Sequence, residues 1–391
     1  MRAGRDGAVI TGCGVVSPYG PGVPAFLDGL RAGRVAVGPI ARFDAADLAP
    51  NAAAEVRDAA SDDPDRAGAF ALLAAREALA AAGLAPCAGT AVLAVALGTT
   101  LGGMQLFERW DAAVSAGAAA PSGLAGVPYY GPAVRLARTL GATGPVATPQ
   151  LACASGTAAL TLALGWIREG RADVVLAGGA DFLCRFVVAG FNALRATALS
   201  SHPFDRDRRG LVLGEGAAVL VVESAASAAA RGARPLARLL GAGAAADAVH
   251  MTAPDREGGG AARAMTAALA DAGHAPAEIG FVSAHGTGTP YNDAMEACAI
   301  ARVFGDHAVR VNSIKGAIGH TLGAAGALEA VLCVDVVSGG PVPPTAGLRT
   351  VDPACERLAL VRALDPAPAP ITLSTSSGFA GANAAIVLGR A

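Results

Sequence analysis

The strongest constraint on this chain's fold is that its second half repeats its first in outline. A buried-looking run at Asp173–Ala180 is followed, after a bend, by the strand-like VLGEGAAVLVVES, 212–224. Near the end, Ile371–Ser376 and Asn383–Leu388 form the same two-strand unit, so the pair 173–180 and 216–222 corresponds to 371–376 and 383–388. Ahead of each pair a loop runs into a helix of small residues: CASGTAALTLALGWIREG, 153–170, in the first half, and Ala317–Val337, which holds His320, in the second. The likeness lies in the order of elements, not in residue identity. Two similar α/β halves on joined sheets predict a five-layer α-β-α-β-α body. Such a body brings strand ends from both halves to one seam, where α/β proteins bind ligands. The alternative is two ordinary doubly wound domains. GCGVVSPYG after the first strand is a poor dinucleotide fingerprint, since no acidic partner follows it at the expected distance.

The remaining elements fit this frame. Gly7–Val16 reads as a strand. Pro64–Ala82 reads as a helix with Asp63 as N-cap and proline in the first position. AVLAVALG, 91–98, lacks alternation and suits a strand covered on both faces. Residues 99–150, rich in glycine and proline, read as helices and loops closing over something. Leu236–Gly243 is a strand, Gly260–Ala272 a helix, and Ile279–Ala284 a strand ending at His285. Apolar residues make up 53% but aromatics only 4%, so helices and sheets must pack closely through alanine and glycine. A formal charge of -2 points to no polyanionic partner. Apolar runs are interrupted before a bilayer is spanned, and with no long apolar stretch behind Met-Arg-Ala-Gly a secretory signal is not expected. The seven cysteines are odd in number and form no CxxC pair, against a disulfide framework or zinc knuckle. A cytoplasmic, soluble α/β protein is expected.

Of the 30 basic residues only Lys315 is a lysine, five positions before His320 in VNSIKGAIGHTLGAAG. A compact ammonium suits a tight site where an arginine fork does not fit. Alone it suggests a Schiff-base amine or phosphate ligand as readily as an electrostatic role. Cys153, in TPQLACASGTAAL, stands where a helix begins. Unpaired N–H groups and the dipole end there favour a thiolate nucleophile, and the other reading is a buried structural thiol. His285, in FVSAHGTGTPYNDAMEA, ends a buried strand and either points into the seam or is satisfied by Thr287 or Thr289. Asp293 and Glu296 open the next helix and are placed to hold that turn. Glu329 follows His320 by nine residues, too far to stack on it by i,i+4 logic but within reach of the base of the site. His202, His250, His274 and His307 lack such context. No HExxH or close ligand spacing supports a metal.

Taken together, ACASG at Cys153, HGTGTP at His285 and KGAIGHTLGAAG at Lys315 and His320 resemble the β-ketoacyl-[acyl-carrier-protein] synthase family. The elongating type of fatty acid and type II polyketide synthesis is the nearest. The likeness continues through FDRDRRGLVLGEGA, DAVHMTAPD and SSGFAGANAAIVL and covers essentially the whole chain. It implies a thiolase-like fold with an N-terminal half, 1–233, carrying the nucleophile, and a C-terminal half, 234–391, carrying both histidines and a gate loop. By the same resemblance Cys153 accepts the acyl group and His285 and His320 handle the malonyl thioester. Lys315 supports the histidines electrostatically within a network that includes Glu329. Phe379 is the gatekeeper and shares an oxyanion hole with Cys153, and Leu101 limits the acyl pocket. No cofactor is expected to be bound; substrates ride on the phosphopantetheine of acyl carrier protein. The assembly implied is a homodimer, or a heterodimer with a homologous Cys-less chain-length partner. Phe379 and Gly381 stand where a thiolase would be expected to carry its second cysteine. His320 separates the chain from Cys-His-Asn enzymes, and Cys153 from the silent partner. That non-catalytic subunit, and a Cys-His acyltransferase that consumes no malonyl thioester, are the alternatives. The family's GFGGTN reads GFAGAN here: Ala380 and Ala382 replace glycine and threonine, and because alanine restricts φ where glycine does not, altered gate opening is expected. Arg206, Arg208 and Arg209 either meet an acidic carrier protein or form a solvated turn with internal ion pairs.

Overall fold

A computed structural model of the chain describes residues 7–57, 59, 63–85, 92–119 and 128–391. In the first half, strand β1 (Ala8–Ser17), helix α1 (Arg66–Ala81), strand β2 (Leu93–Gly98), helix α2 (Ser155–Arg168) and strands β3 (Val174–Asp181) and β4 (Gly216–Ser224) follow one another. In the second half the series is β5 (Ala237–Ala246), α3 (Gly259–Ala272), β6 (Phe281–Ser283), α4 (Pro290–Phe304), β7 (Arg310–Asn312), α5 (Ala325–Val337), β8 (Ile371–Gly378) and β9 (Ala382–Arg390).

The two sheets share one pairing scheme. β2 runs parallel to β3, β3 antiparallel to β4, and β4 antiparallel to β1. Likewise β6 runs parallel to β8, β8 antiparallel to β9, and β9 antiparallel to β5. A short antiparallel contact, Ala8–Ile10 against Ala237–Leu239, joins the sheets through β1 and β5. The predicted correspondence of strand pairs and of loop-helix units is therefore the one found.

Contacts define the layers. α2 and α5 each touch strands of both sheets and each other, so they form the middle layer. α1 covers the outer face of the first sheet, and α3, backed by α4, that of the second. This is the thiolase-like α-β-α-β-α body. Every residue of α5 but Asp335 is buried, as expected for a helix apolar on all sides. Asp335 emerges at one end and pairs with Arg31 at 2.8 Å. The glycine-alanine composition has its reason here. A Cβ on Gly156 would lie 2.8 Å from the Gly323 carbonyl oxygen and 2.9 Å from the Ala327 nitrogen. The two middle-layer backbones thus approach more closely than side chains allow.

Two boundaries differ from expectation. Helix α1 starts at Arg66, and its N-cap is Asp65, whose carboxylate accepts from Gly68 N–H at 2.9 Å. Asp63 instead accepts from Asp65 N–H and pairs with Arg135 at 2.7 Å. An N-cap must lie within reach of the N2 or N3 amide, and Asp63 lies too far upstream. Helix α2 begins at Ser155, leaving Cys153 just ahead of it. Among the described residues no helix is long and apolar enough to cross a membrane. Cys13, Cys153, Cys184, Cys298, Cys333 and Cys355 are free thiols; Cys87 lies outside the described residues.

Candidate active site

Cys153, His285, His320 and Phe379 line one cavity of about 400 Å³ at the seam between the halves. Each is delivered by a strained or tightly tethered piece of backbone. Ala152, directly before the cysteine, has φ 47, and Leu322, two residues after His320, has φ 54. Such conformations are uncommon for non-glycine residues and persist only where surroundings hold them. The two loop-helix units share this feature, an echo of the internal repeat.

The histidine rings meet edge to face, with centroids 5.1 Å apart. His285 leaves the end of β6 in a turn clamped by carboxylates from α4. Glu296 accepts from His285 N–H at 2.6 Å and Gly286 N–H at 2.7 Å, while Asp293 accepts from Thr287 N–H at 3.0 Å and Phe204 N–H at 2.8 Å. Burial pushes Glu296 up to about 8, and raises Asp293 as well. Thr287 and Thr289 bond one another and leave the imidazole alone. His320 Nδ1 accepts from Leu322 N–H at 3.1 Å. In the neutral ring the proton then resides on Nε2, a donor.

Lys315 is buried near both histidines, 1% exposed. Its ammonium donates to the His285 carbonyl oxygen at 2.5 Å and pairs with Glu329 of α5. Burial raises the Glu329 carboxyl to about 7 against the pull of Lys315. Burial also lowers both histidines well below the ordinary imidazole range, and the Lys315 charge lowers them further. Both rings are therefore neutral at physiological pH. A Schiff-base or phosphate role does not suit an ammonium so enclosed and already paired.

Cys153 departs from expectation in one respect. A position ahead of a helix favours the thiolate, yet enclosure wins: burial pushes the thiol up to about 12, with Lys315 opposing. The resting thiol is neutral. Above it pass Gly378 and Phe379, and a Cβ on Gly378 would lie 3.1 Å from the Cys153 nitrogen. The Phe379 ring stacks on Phe191 with centroids 5.5 Å apart. Leu101 does not line the cavity. It is buried in an apolar cluster with Phe191 and Leu322, against which Phe379 also packs.

The segment 378–383 is tied to the loop after β5. Asn383 donates to Asp247 at 2.8 Å, and Ala380 N–H to the Met251 carbonyl oxygen at 2.6 Å. Ala380 adopts φ 63, ψ 16, a glycine conformation held here by alanine. Of the three arginines, Arg208 is buried and pairs with Asp352 at 2.5 Å, so the internal ion pair holds for it; Arg206 and Arg209 are exposed.

Asp181, which no sequence motif singles out, lies behind the site. It ends β3 fully buried, and its carboxylate accepts four hydrogen bonds from the loop after β2 and the turn after His320. The one available signal is a lone charge closing the apolar run VVLAGGAD. Among the described residues no cluster of three or more potential metal ligands occurs.

Comparison with known proteins gives a consistent set of likenesses. Residues 6–228 match the beta-ketoacyl synthase N-terminal domain and residues 236–349 the beta-ketoacyl synthase C-terminal domain. The chain is 40% identical over 412 residues to the putative polyketide beta-ketoacyl synthase 1 of Streptomyces cyaneus, covering 97% of each. It superposes on the ishigamide ketosynthase/chain length factor with a TM-score of 0.92, 40% identity and 100% coverage of both chains. A second solved structure, AntDE:AntF, is a type II polyketide acyl-carrier protein in complex with its ketosynthase. It aligns with a TM-score of 0.91 at 30% identity, again over 100% of both chains.

Proposed function

We propose, for a chain that belongs to the beta-ketoacyl synthase family, that Cys153 carries the acyl group while His285 and His320 hold the malonyl thioester in a decarboxylative Claisen condensation. One observation carries this division of labour: a thiol from the first half and two neutral imidazoles from the second face a single cavity near a buried ammonium.

In the loading step the Cys153 sulfur attacks the carrier thioester. The carrier thiolate leaves and takes up the proton that Cys153 gives up. Backbone N–H groups of Cys153 and Phe379 receive the tetrahedral oxyanion, a role supported by the close passage of residues 378–379 over the Cys153 nitrogen. Malonyl-carrier protein then enters. The bond to its carboxylate breaks, carbon dioxide departs, and the electron pair moves onto the thioester oxygen. Neutral imidazole N–H groups stabilise that oxygen without giving up a proton. The enolate carbon attacks the acyl-cysteine carbonyl, and collapse expels the Cys153 thiolate. With its thiol pushed up to about 12, that thiolate takes a proton from solvent and the resting state returns. The product is a β-ketoacyl thioester two carbons longer.

Lys315 biases both rings toward the neutral form and holds the His285 backbone, with Glu329 as counter-ion. Asp293 and Glu296 shape the His285 turn. Phe379 gates the cavity, and Leu101, in the apolar cluster on which Phe379 packs, limits how far the acyl pocket extends once Phe379 moves aside. The two functional halves divide at 233/234. Substrates arrive on the phosphopantetheine of an acyl carrier protein, a reading supported by the likeness to AntDE:AntF, in which a carrier protein is bound to its ketosynthase, and no bound cofactor takes part. A type II polyketide pathway follows the likeness to AntDE:AntF, and pairing with a chain-length partner the likeness to the ishigamide ketosynthase/chain length factor. A cytoplasmic location agrees with the free thiols.

The test is Cys153→Ala with acyl-carrier protein and malonyl-carrier protein. The wild type gains an acyl mass on Cys153 and extends it; the variant does neither. Normal extension by the variant overturns the assignment. Acyl loading without malonyl consumption in the wild type would favour the acyltransferase alternative.

A further inference from the structure

We propose that Asp181 is a positioning residue that sets the separation between Cys153 and His320, an inference that rests on the roles given above to those two residues. Its carboxylate is a joint between two loops. Oδ1 accepts from Thr99 Oγ1 at 2.7 Å and Leu101 N–H at 3.0 Å. Oδ2 accepts from Thr100 N–H at 2.7 Å and, across the seam, Gly323 N–H at 2.6 Å. From there two short paths reach the site. Thr100 Oγ1 donates at 3.2 Å to the carbonyl oxygen of Ala152, the positive-φ residue preceding Cys153. Gly323 follows Leu322, also at positive φ, whose N–H sets the His320 ring through Nδ1.

Both strained residues are thus tethered, one from each half, to the same carboxylate. The fit leaves no slack: a Cβ on Gly323 would lie 2.7 Å from Asp181 Oδ2 and 2.8 Å from the Thr100 nitrogen. Three partners are backbone N–H groups, one on Oδ1 and two on Oδ2, and the fourth is a hydroxyl that donates here, so a carboxylate satisfies all four together. An amide of the same shape must turn its NH₂ toward at least one backbone N–H, which breaks that bond and lets its loop shift.

Condensation needs the acyl-cysteine and the enolate in register, whereas loading and decarboxylation each need only one side. Loosening the joint should therefore uncouple the steps. Displacements near 1 Å cost on the order of a hundredfold in rate, so a loss of roughly tenfold or more in coupling is expected. The experiment uses the full chain in the assembly that condenses in the wild type, with saturated acyl-carrier proteins and malonyl-carrier protein. Three quantities are followed: acyl mass on Cys153, carbon dioxide released, and β-ketoacyl product. Asp181→Asn should keep loading and decarboxylation within a few-fold, while product per carbon dioxide falls tenfold or more. A proportional fall in all three, as partial unfolding would give, overturns the proposal, and so does an unchanged ratio. Should Asp181→Asn not fold, Thr100→Val removes one path at a half-buried, isosteric position. It should lower the same ratio less steeply, and a wild-type ratio there overturns the proposal too. Cys153→Ala in the same assay keeps the two failures apart: condensation surviving in it rejects the nucleophile itself, not the joint.

Discussion

The Lys315 ammonium donates to the main-chain carbonyl oxygen of His285 at 2.5 Å while ion-paired to Glu329, and all three residues are buried. Replacing Lys315 by methionine removes the charge and keeps the bulk. Glu329, already raised to about 7 by burial, rises further without its counter-ion and becomes neutral, so no bare charge is left. Both histidines, lowered by burial and then by Lys315, move back toward 6.5. In the proposed mechanism the neutral rings are the active form, so the acid limb of malonyl decarboxylation should shift to higher pH in Lys315→Met. Acyl loading should suffer less than decarboxylation. A pH–rate profile of carbon dioxide release checks both; an unmoved limb, or equal loss in the two steps, contradicts the role.

Ala380 occupies φ 63, where a Cβ is strained. Ala380→Gly should stabilise the folded protein by about 0.5–1 kcal/mol, the gain offset partly by chain entropy. Ala380→Val, β-branched, should lose stability instead. Urea denaturation reads the sign, and elongation with bulky acyl chains reports any change in gating.

Gly156 lies where α2 and α5 touch backbone to backbone, 2.8 Å from the Gly323 carbonyl oxygen for any added Cβ. Gly156→Ala should cost about 1–3 kcal/mol, as overpacking does. Because the residue is three positions from Cys153 and presses on the His320 turn, condensation should fall too. Alanine tolerated without loss in either measurement would mean the middle layer yields more than the contact implies.

Arg66 and Glu215 form a fully enclosed ion pair at 2.7 Å, with Val56 N–H and Leu183 N–H also bonded to the carboxylate. Arg66→Ala leaves that charge uncompensated. A destabilisation of about 3–5 kcal/mol is expected. Glu215→Gln keeps part of the hydrogen bonding and should cost less, which denaturation of the two variants side by side will show.

Much of the fold is legible in the sequence because periodicity and order of elements are local signals. The strand pairs at 173–180 and 371–376 and the loop-helix units at Cys153 and His320 are readable as a repeat, and the sheets pair in that order. Cys153, His285 and His320 stand out by motif, and one cavity collects them. The start of α1 is not legible to the residue, because two aspartates two residues apart are equally good caps by type, and only geometry chooses Asp65. Arg208 looks like surface charge in the sequence because its burial depends on Asp293 and Asp352, distant along the chain.

What the sequence by itself determined is the architecture and the candidate reacting groups, since both are written in residue type and spacing. The tertiary structure decided their states. Its position before a helix predicts a ready thiolate at Cys153, which is instead a buried thiol held near 12. The lone lysine, compatible with several chemistries, became a charge near two neutral rings because Glu329 and the His285 carbonyl converge on it. Asp181, unremarkable at the end of a strand, joins both halves through four donors. Protonation and alignment depend on desolvation and on contacts between residues far apart in the chain, and those exist only once the two halves close on their shared middle layer.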